Sequence, residues 1–124
     1  DKMKRVFDIV RKAQQAALAA AHPGATMESV DAAARKVIAD AGYGPGYTYF
    51  SHRLGHGIGM DMHEWYYLVQ GNTRRIETGM TFSDEPGIYI PGEFGVRLED
   101  DMHVGVDGAR LFTPQSPSIE RPFG

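Results

Sequence analysis

"RLGHGIGMDMHE", Arg53 to Glu64, sets two histidines, two carboxylates and three glycines into twelve consecutive positions. A metal site, a phosphate cradle and a tight turn would each use some of these residues. Glycine on both sides of His56 lets the backbone pass close behind an imidazole that has to reach a crowded place. A phosphate loop needs a strand, a glycine-rich turn and a helix opening on Lys-Ser or Lys-Thr, and neither pair follows Gly59. The stretch therefore favours a metal.

Working outward, His52 lies four positions before His56, and His63 lies seven after it. Taken singly, His52-x-x-x-His56 is a spacing that chance often supplies. Glu85 precedes Pro86-Gly87, and Glu99 stands within Arg97-Leu98-Glu99-Asp100-Asp101, each in a strand-like run. On a strand, alternation puts Arg97, Glu99 and Asp101 on one face. That acidic run is either a solvated edge or a ligand carboxylate beside a guanidinium that orients substrate. Asp84 on the same reasoning points away from Glu85 and reads as structural. One nitrogen with several hard oxygens suits Mn²⁺, Co²⁺, Fe²⁺ or Zn²⁺. A carboxylate-rich set with one histidine is typical of paired metals that activate water for hydrolysis. Three ligands are too few for two ions, so the residues alone describe an incomplete metallohydrolase site.

The rest of the chain supplies the scaffold. Met3, Val6, Phe7, Val10, Ala13, Ala17, Leu18 and Ala21 recur at helical spacing up to His22-Pro23-Gly24. Thr26 is the expected N-cap of a second helix, with the apolar stripe Met27, Val30, Ala33, Ala34, Val37, Ile38 and Ala41 ended by Gly42. Beyond Gly44-Pro45-Gly46, short aromatic and β-branched runs predict strands at 47–50, 80–83, 87–90, 95–98, 102–106 and 111–113. Asp107-Gly108 is placed as the hairpin turn between the last two, and the tail from Pro114 to Gly124 as an irregular extension.

With 124 residues the chain is one domain's worth. Thirteen basic against sixteen acidic residues, a formal charge of −3, give no footprint for nucleic acid. No cysteine is present, which fits a reducing compartment and a cytoplasmic location. The alanine-rich run 16–21 is far short of the ~20 apolar residues of a membrane span, so no membrane partner is expected. The chain opens on Asp1 inside a helical pattern, as a piece cut from a longer protein would.

Four motifs, in order, carry a resemblance. They are His52-x-x-Gly55-His56-Gly57-Ile58-Gly59, His63-Glu64, Ser83-x-Glu85-Pro86-Gly87-Ile88-Tyr89 and Gly95-Val96-Arg97-Leu98-Glu99-Asp100. They resemble the catalytic half of the pita-bread metallopeptidases of creatinase and aminopeptidase type, and are most similar to Xaa-Pro dipeptidases (prolidases) and aminopeptidase P. Methionine aminopeptidases share the His-Gly-Ile-Gly element, but the Glu85–Tyr89 motif and the Arg97-x-Glu99 pair look like the proline-peptide branch.

The resemblance implies an α+β fold, the second half of a pita-bread domain, with two helices packed on a curved, mainly antiparallel sheet. Residues 1–124 would be the C-terminal part of the catalytic domain. His56 would be the sole histidine ligand, Glu85 a ligand that also handles the proton of the attacking water, and Glu99 the carboxylate shared by both metals. His52 and His63 would line the substrate site, with His63 donating to the scissile peptide group or its oxyanion. Arg97 and Tyr89 would position substrate and relay protons, while Gly87 and Gly92 would be turn residues. The family places two further aspartate ligands upstream of the first helix, and neither Asp1 nor Asp8 can stand in for them.

The expectation is therefore hydrolysis of X-Pro peptides by two divalent ions (Mn, Co, Fe or Zn) in a full-length parent. This piece would be inactive alone and would hold at most one ion weakly. The expected partners are a proline-containing peptide and a second copy, giving a homodimer. Two other functions use the same scaffold: a metal-free peptide-binding module, in which the ligands are replaced, and a creatine-type amidinohydrolase. All three ligand positions in this chain are intact, which favours hydrolysis.

Overall fold

Apolar residues spaced three and four apart wind residues 2–20 and 27–38 into helices. The computed structural model, which describes residues 1–124, places them as α1 (Lys2–Ala20) and α2 (Met27–Ile38). Val6, Val10, Ala13 and Ala17 of α1 and Met27, Val30, Ala34 and Ile38 of α2 are buried in one core. Thr26 takes the N-cap position with extended backbone, but its side chain does not cap. The orphan N–H groups of Met27 and Glu28 donate instead to Arg74 O and Asn72 O, at 2.8 Å each, so a distant loop closes the helix start. At its other end α2 runs into a wide turn, Ala39–Tyr43, which Gly42 stops at φ +95°.

Seven strands follow: β1 (Gly55–Gly57), β2 (Glu64–Leu68), β3 (Thr81–Asp84), β4 (Gly87–Ile90), β5 (Phe94–Arg97), β6 (Asp100–Gly105) and β7 (Gly108–Leu111). Five form one sheet in the order β2-β1-β3-β6-β7, and β4-β5 is a separate hairpin. Every pairing is antiparallel. Helix α1 packs on α2 and against β3, β4, β5 and β7, while α2 also meets β2. Two helices on a mainly antiparallel sheet is the expected arrangement. Phe82, Met102 and Val104 belong to the core that the helices complete. Alternation along β3 then sends Asp84 to the helix side with Phe82, and Ser83 and Glu85 to the opposite face.

Several local expectations are corrected. Residues 47–50 are turns and bends rather than a strand. Their aromatic composition favours β structure, yet they form no ladder and meet β4 through a single backbone bond. The Tyr49 carbonyl accepts from Tyr89 N, and that of Phe50 from the Arg35 side chain. Strands β1 and β2, by contrast, form where the sequence predicts no strand. The last hairpin turns at Val106-Asp107, with Gly105 paired to Gly108. Neither acidic candidate lies inside a strand. Glu85 follows β3 just before Pro86, which has no N–H for a ladder. Leu98 and Glu99 form the two-residue crossing from β5 to β6, so this crossing, not alternation along one strand, sets Glu99 beside Arg97.

Candidate metal centre

His56 occupies the middle of β1 because both its neighbours are bare. A Cβ on Gly55 would overlap the Ser83 carbonyl oxygen and sit 2.9 Å from its carbon, and one on Gly57 would lie 3.0 Å from Glu64 O. Glycine thus lets β1 pass close between β2 and β3. The His56 backbone N–H donates to Ser83 Oγ at 3.0 Å.

The ring is oriented by a second bond. His56 Nδ1 lies 2.9 Å from Gly57 O. A carbonyl only accepts, so Nδ1 is assigned the proton and Nε2 of the neutral ring carries a free lone pair. Nε2 faces Glu85 Oε2 at 3.0 Å, and that oxygen is buried with no hydrogen-bond donor. Two acceptors in contact repel unless a proton or a cation lies between them. Glu99 completes the group: the nearest donor atoms of His56, Glu85 and Glu99 all lie within 4.8 Å of one another. A small side-chain adjustment brings such a triangle to ligand bonds of ~2.0–2.2 Å. One imidazole and two carboxylates fit Mn²⁺, Co²⁺, Fe²⁺ or Zn²⁺.

Charge supports the same reading. Burial raises the Glu99 carboxyl above its ordinary range, and the Glu85 charge raises it further, while Arg97 pulls it down. Asp84, on the helix side, is fully buried with neither oxygen hydrogen-bonded. Burial holds its carboxyl well above the carboxylate range, with the Asp100 and Glu85 charges adding to the shift. Gln14 of α1 reaches the same place, donating to Asp84 O at 3.2 Å and to Asp100 Oδ2 at 2.9 Å.

The remaining candidates form the rim. The His63 ring centroid is 4.4 Å from that of His56. A cavity of about 430 Å³ opens there, lined by His56, Ile58, Met60, His63, Glu99 and Asp101. Arg97 Nε stands 4.0 Å from Glu99 Oε2, both side chains half-exposed. His52 and Tyr89 form a pair of their own: Nδ1 of His52 donates to Arg53 O at 2.6 Å, so Nε2 accepts from the Tyr89 hydroxyl at 2.8 Å. Gly92, at φ +77°, is a turn residue as expected. Gly87 is not, since a Cβ there would lie 2.7 Å from the Tyr89 hydroxyl, and its bareness makes room for that ring. In the sequence Ser83 has a place in a motif but no role, and the Asp31–Arg35 pair of α2 has neither. The one local signal for the pair was an i, i+4 ion pair on an apolar stripe.

A sequence model of metallopeptidase family M24 matches residues 1–105. The Xaa-Pro dipeptidase of Lactobacillus delbrueckii subsp. lactis is 52% identical over 120 residues, 97% of this chain and 32% of that protein. The X-Pro aminopeptidase from Thermotoga maritima MSB8 superposes with a TM-score of 0.88 at 38% identity, covering 95% of this chain and 33% of that one. The prolidase from Pyrococcus furiosus gives 0.87 at 41% identity, with 93% and 33% covered. The chain spans about a third of the length of these relatives.

Proposed function

Because the chain belongs to metallopeptidase family M24, we propose that residues 1–124 are the C-terminal part of a catalytic domain that cleaves Xaa-Pro peptides with two divalent ions. Its fold is the pita-bread fold of the X-Pro aminopeptidase and prolidase structures. The observation that carries the reading is the bare His56 Nε2 facing the donorless Glu85 Oε2, with Glu99 beside them. A metal-free peptide-binding role would leave only a proton to separate those two acceptors.

His56, Glu85 and Glu99 would hold the metal, and one imidazole with two carboxylates suits Mn, Co, Fe or Zn. A divalent ion there would supply Lewis acidity and lower the pKa of water. The chain's own groups do the rest. The Glu85 carboxylate accepts the proton of the attacking water. His63, on the cavity rim, donates to the scissile peptide group or to the oxyanion as charge develops. His52 with the Tyr89 hydroxyl, and Arg97 beside Glu99, orient the peptide.

The activity belongs to a protein of the length of the relatives. Three donors from residues 1–124 are too few for two ions, so this chain alone holds at most one weakly and is inactive. The edge strand β2, with Trp65 74% exposed and Met60 and Met62 beside it, is the surface we assign to homodimer formation. The test is hydrolysis of Gly-Pro and Ala-Pro with Mn²⁺ or Co²⁺ by the full-length protein and by residues 1–124. Activity confined to the full-length protein and lost in His56→Ala and Glu85→Ala supports the proposal. Unchanged activity in those two variants overturns it.

A further inference from the structure

Residues 44–54 join α2 to β1 without forming a strand, yet they carry His52 and lead into His56. Their backbone groups need partners that no ladder supplies. One ion pair supplies them. Asp31, 2% exposed, takes a fork from Arg35: Nε to Oδ2 at 3.0 Å and Nη2 to Oδ1 at 3.0 Å. The remaining guanidinium N–H groups donate to Phe50 O at 2.6 Å, His52 O at 2.8 Å and Gly46 O at 3.2 Å. Asp31 Oδ1 also accepts from Leu54 N at 3.0 Å, an N–H it shares with Leu68 O of β2 at 3.1 Å. The guanidinium lies between the rings of Tyr47 and Phe50, 3.9 and 4.0 Å from their centroids.

The other side of the segment is bonded to the strands of the site. Leu54 O accepts from Glu85 N at 3.0 Å, and Tyr49 O from Tyr89 N at 2.9 Å. Residues 49–54 are thus fixed between an ion pair on α2 and the backbone of Glu85 and Tyr89. His52 is the one residue of the segment whose side chain continues the network, through Nε2 to the Tyr89 hydroxyl.

We propose that Asp31 and Arg35 are positioning residues, which hold the 46–54 segment so that His52 meets the Tyr89 hydroxyl in one fixed orientation. The inference rests on the proposed reading of His52 and Tyr89 as substrate-facing groups. Lysine cannot replace Arg35, because one ammonium does not reach three divergent carbonyls while also meeting the carboxylate as a planar fork.

The test is NMR of ¹⁵N-labelled residues 1–124 at a pH where imidazoles are neutral. In the unaltered chain His52 gives two widely separated ring-nitrogen shifts, as a single tautomer does. Arg35→Lys, which keeps the buried carboxylate paired, and the double change Asp31→Leu with Arg35→Met, which removes both charges together, are compared with it. In each, the two shifts should converge by at least half their separation and the His52–Tyr89 cross-peak should vanish, while the Val6 and Val30 methyl signals stay in place. Val10→Ala, a core truncation outside the segment, should leave the His52 pattern intact. An unchanged pattern in Arg35→Lys overturns the proposal, as does the same loss in Val10→Ala, which would make the pair a general stabiliser. Unaltered Ala-Pro hydrolysis by full-length His52→Ala would overturn the substrate-facing reading and leave the positioning result standing.

Discussion

Gly55→Ala is expected to be the most damaging small substitution in the chain. The added Cβ overlaps the Ser83 carbonyl oxygen, and lies 2.9 Å from the carbonyl carbon and 3.0 Å from Ser83 Oγ. The first two atoms are backbone of β3, so no rotamer change relieves them. Restoring ordinary van der Waals separation of about 3.5 Å requires β1 to withdraw from β3 by roughly 1.5 Å. That movement breaks the bond from His56 N to Ser83 Oγ and weakens the pairing of Gly57 with Phe82. Overpacking of this kind costs about 1–3 kcal/mol, and leaving a buried N–H unpaired costs about 1–3 kcal/mol more. The sum, about 2–6 kcal/mol, is a large part of the roughly 5–15 kcal/mol that holds a domain folded. Urea unfolding followed by far-ultraviolet circular dichroism measures it. Two internal controls set the scale. In Gly59→Ala the atoms nearest the Cβ are those of the Glu64 carboxylate, at 2.6 and 2.7 Å, the far end of a flexible side chain held by one exposed bond from Asp61 N, so the cost stays at about 0.5 kcal/mol. Gly24→Ala meets nothing but sits at φ +89°, and costs about 1–2 kcal/mol of backbone strain. Gly55→Ala within about 1 kcal/mol of the unaltered chain, or Gly59→Ala as the costlier change, would refute the close-approach reasoning.

Mn²⁺ at a hundred times its dissociation constant should stabilise residues 1–124 by about 2.7 kcal/mol, read as a rise in melting temperature. Glu85→Gln should abolish that rise while stabilising the metal-free chain by about 0.5–1.5 kcal/mol, because the amide can donate to His56 Nε2. The metal-free chain should melt at a higher temperature at pH 5 than at pH 7. Asp84, Glu99 and Asp100 all have raised carboxyl pKa values in the folded state. The folded chain therefore holds these protons more tightly than the unfolded one, and stability falls as pH climbs from about 4 through the raised values. Asp84→Asn should flatten that slope; a melting temperature independent of pH in the unaltered chain would contradict the assignment. Gln115→Ala should cost about 1–3 kcal/mol in thermal unfolding, because Gln115 is the donor to Oε1 of the buried Gln14 at 2.6 Å; an unchanged midpoint would show that Gln14 needs no such partner.

The helices and one strand are legible from local sequence. The helices follow from the spacing of Val6, Val10, Ala13 and Ala17 and of Met27, Val30, Ala34 and Ile38, because a helix satisfies its backbone within four residues. Strand β4, residues 87–90, was legible for a similar reason, bounded by a proline on each side. His56 and Glu85 stand out as donors because glycine or proline adjoins them, Glu99 by its place beside Arg97, and the order of motifs ties all three to one family. Where those donors stand was not legible. Glu85 and Glu99 lie at junctions, and residues 47–50 are not a strand, because partners far along the chain decide both. Leu54 O receives Glu85 N, Arg35 takes the carbonyls of Phe50 and His52, and Ser83 Oγ takes His56 N. The facing of His56 Nε2 and Glu85 Oε2 arises only when β1 pairs with β3, and Glu99 joins them only when β6 pairs on the other side. Sequence determined which groups could hold a metal. The tertiary pairing brought them together, because hydrogen bonds between strands depend on neighbours in space rather than along the chain.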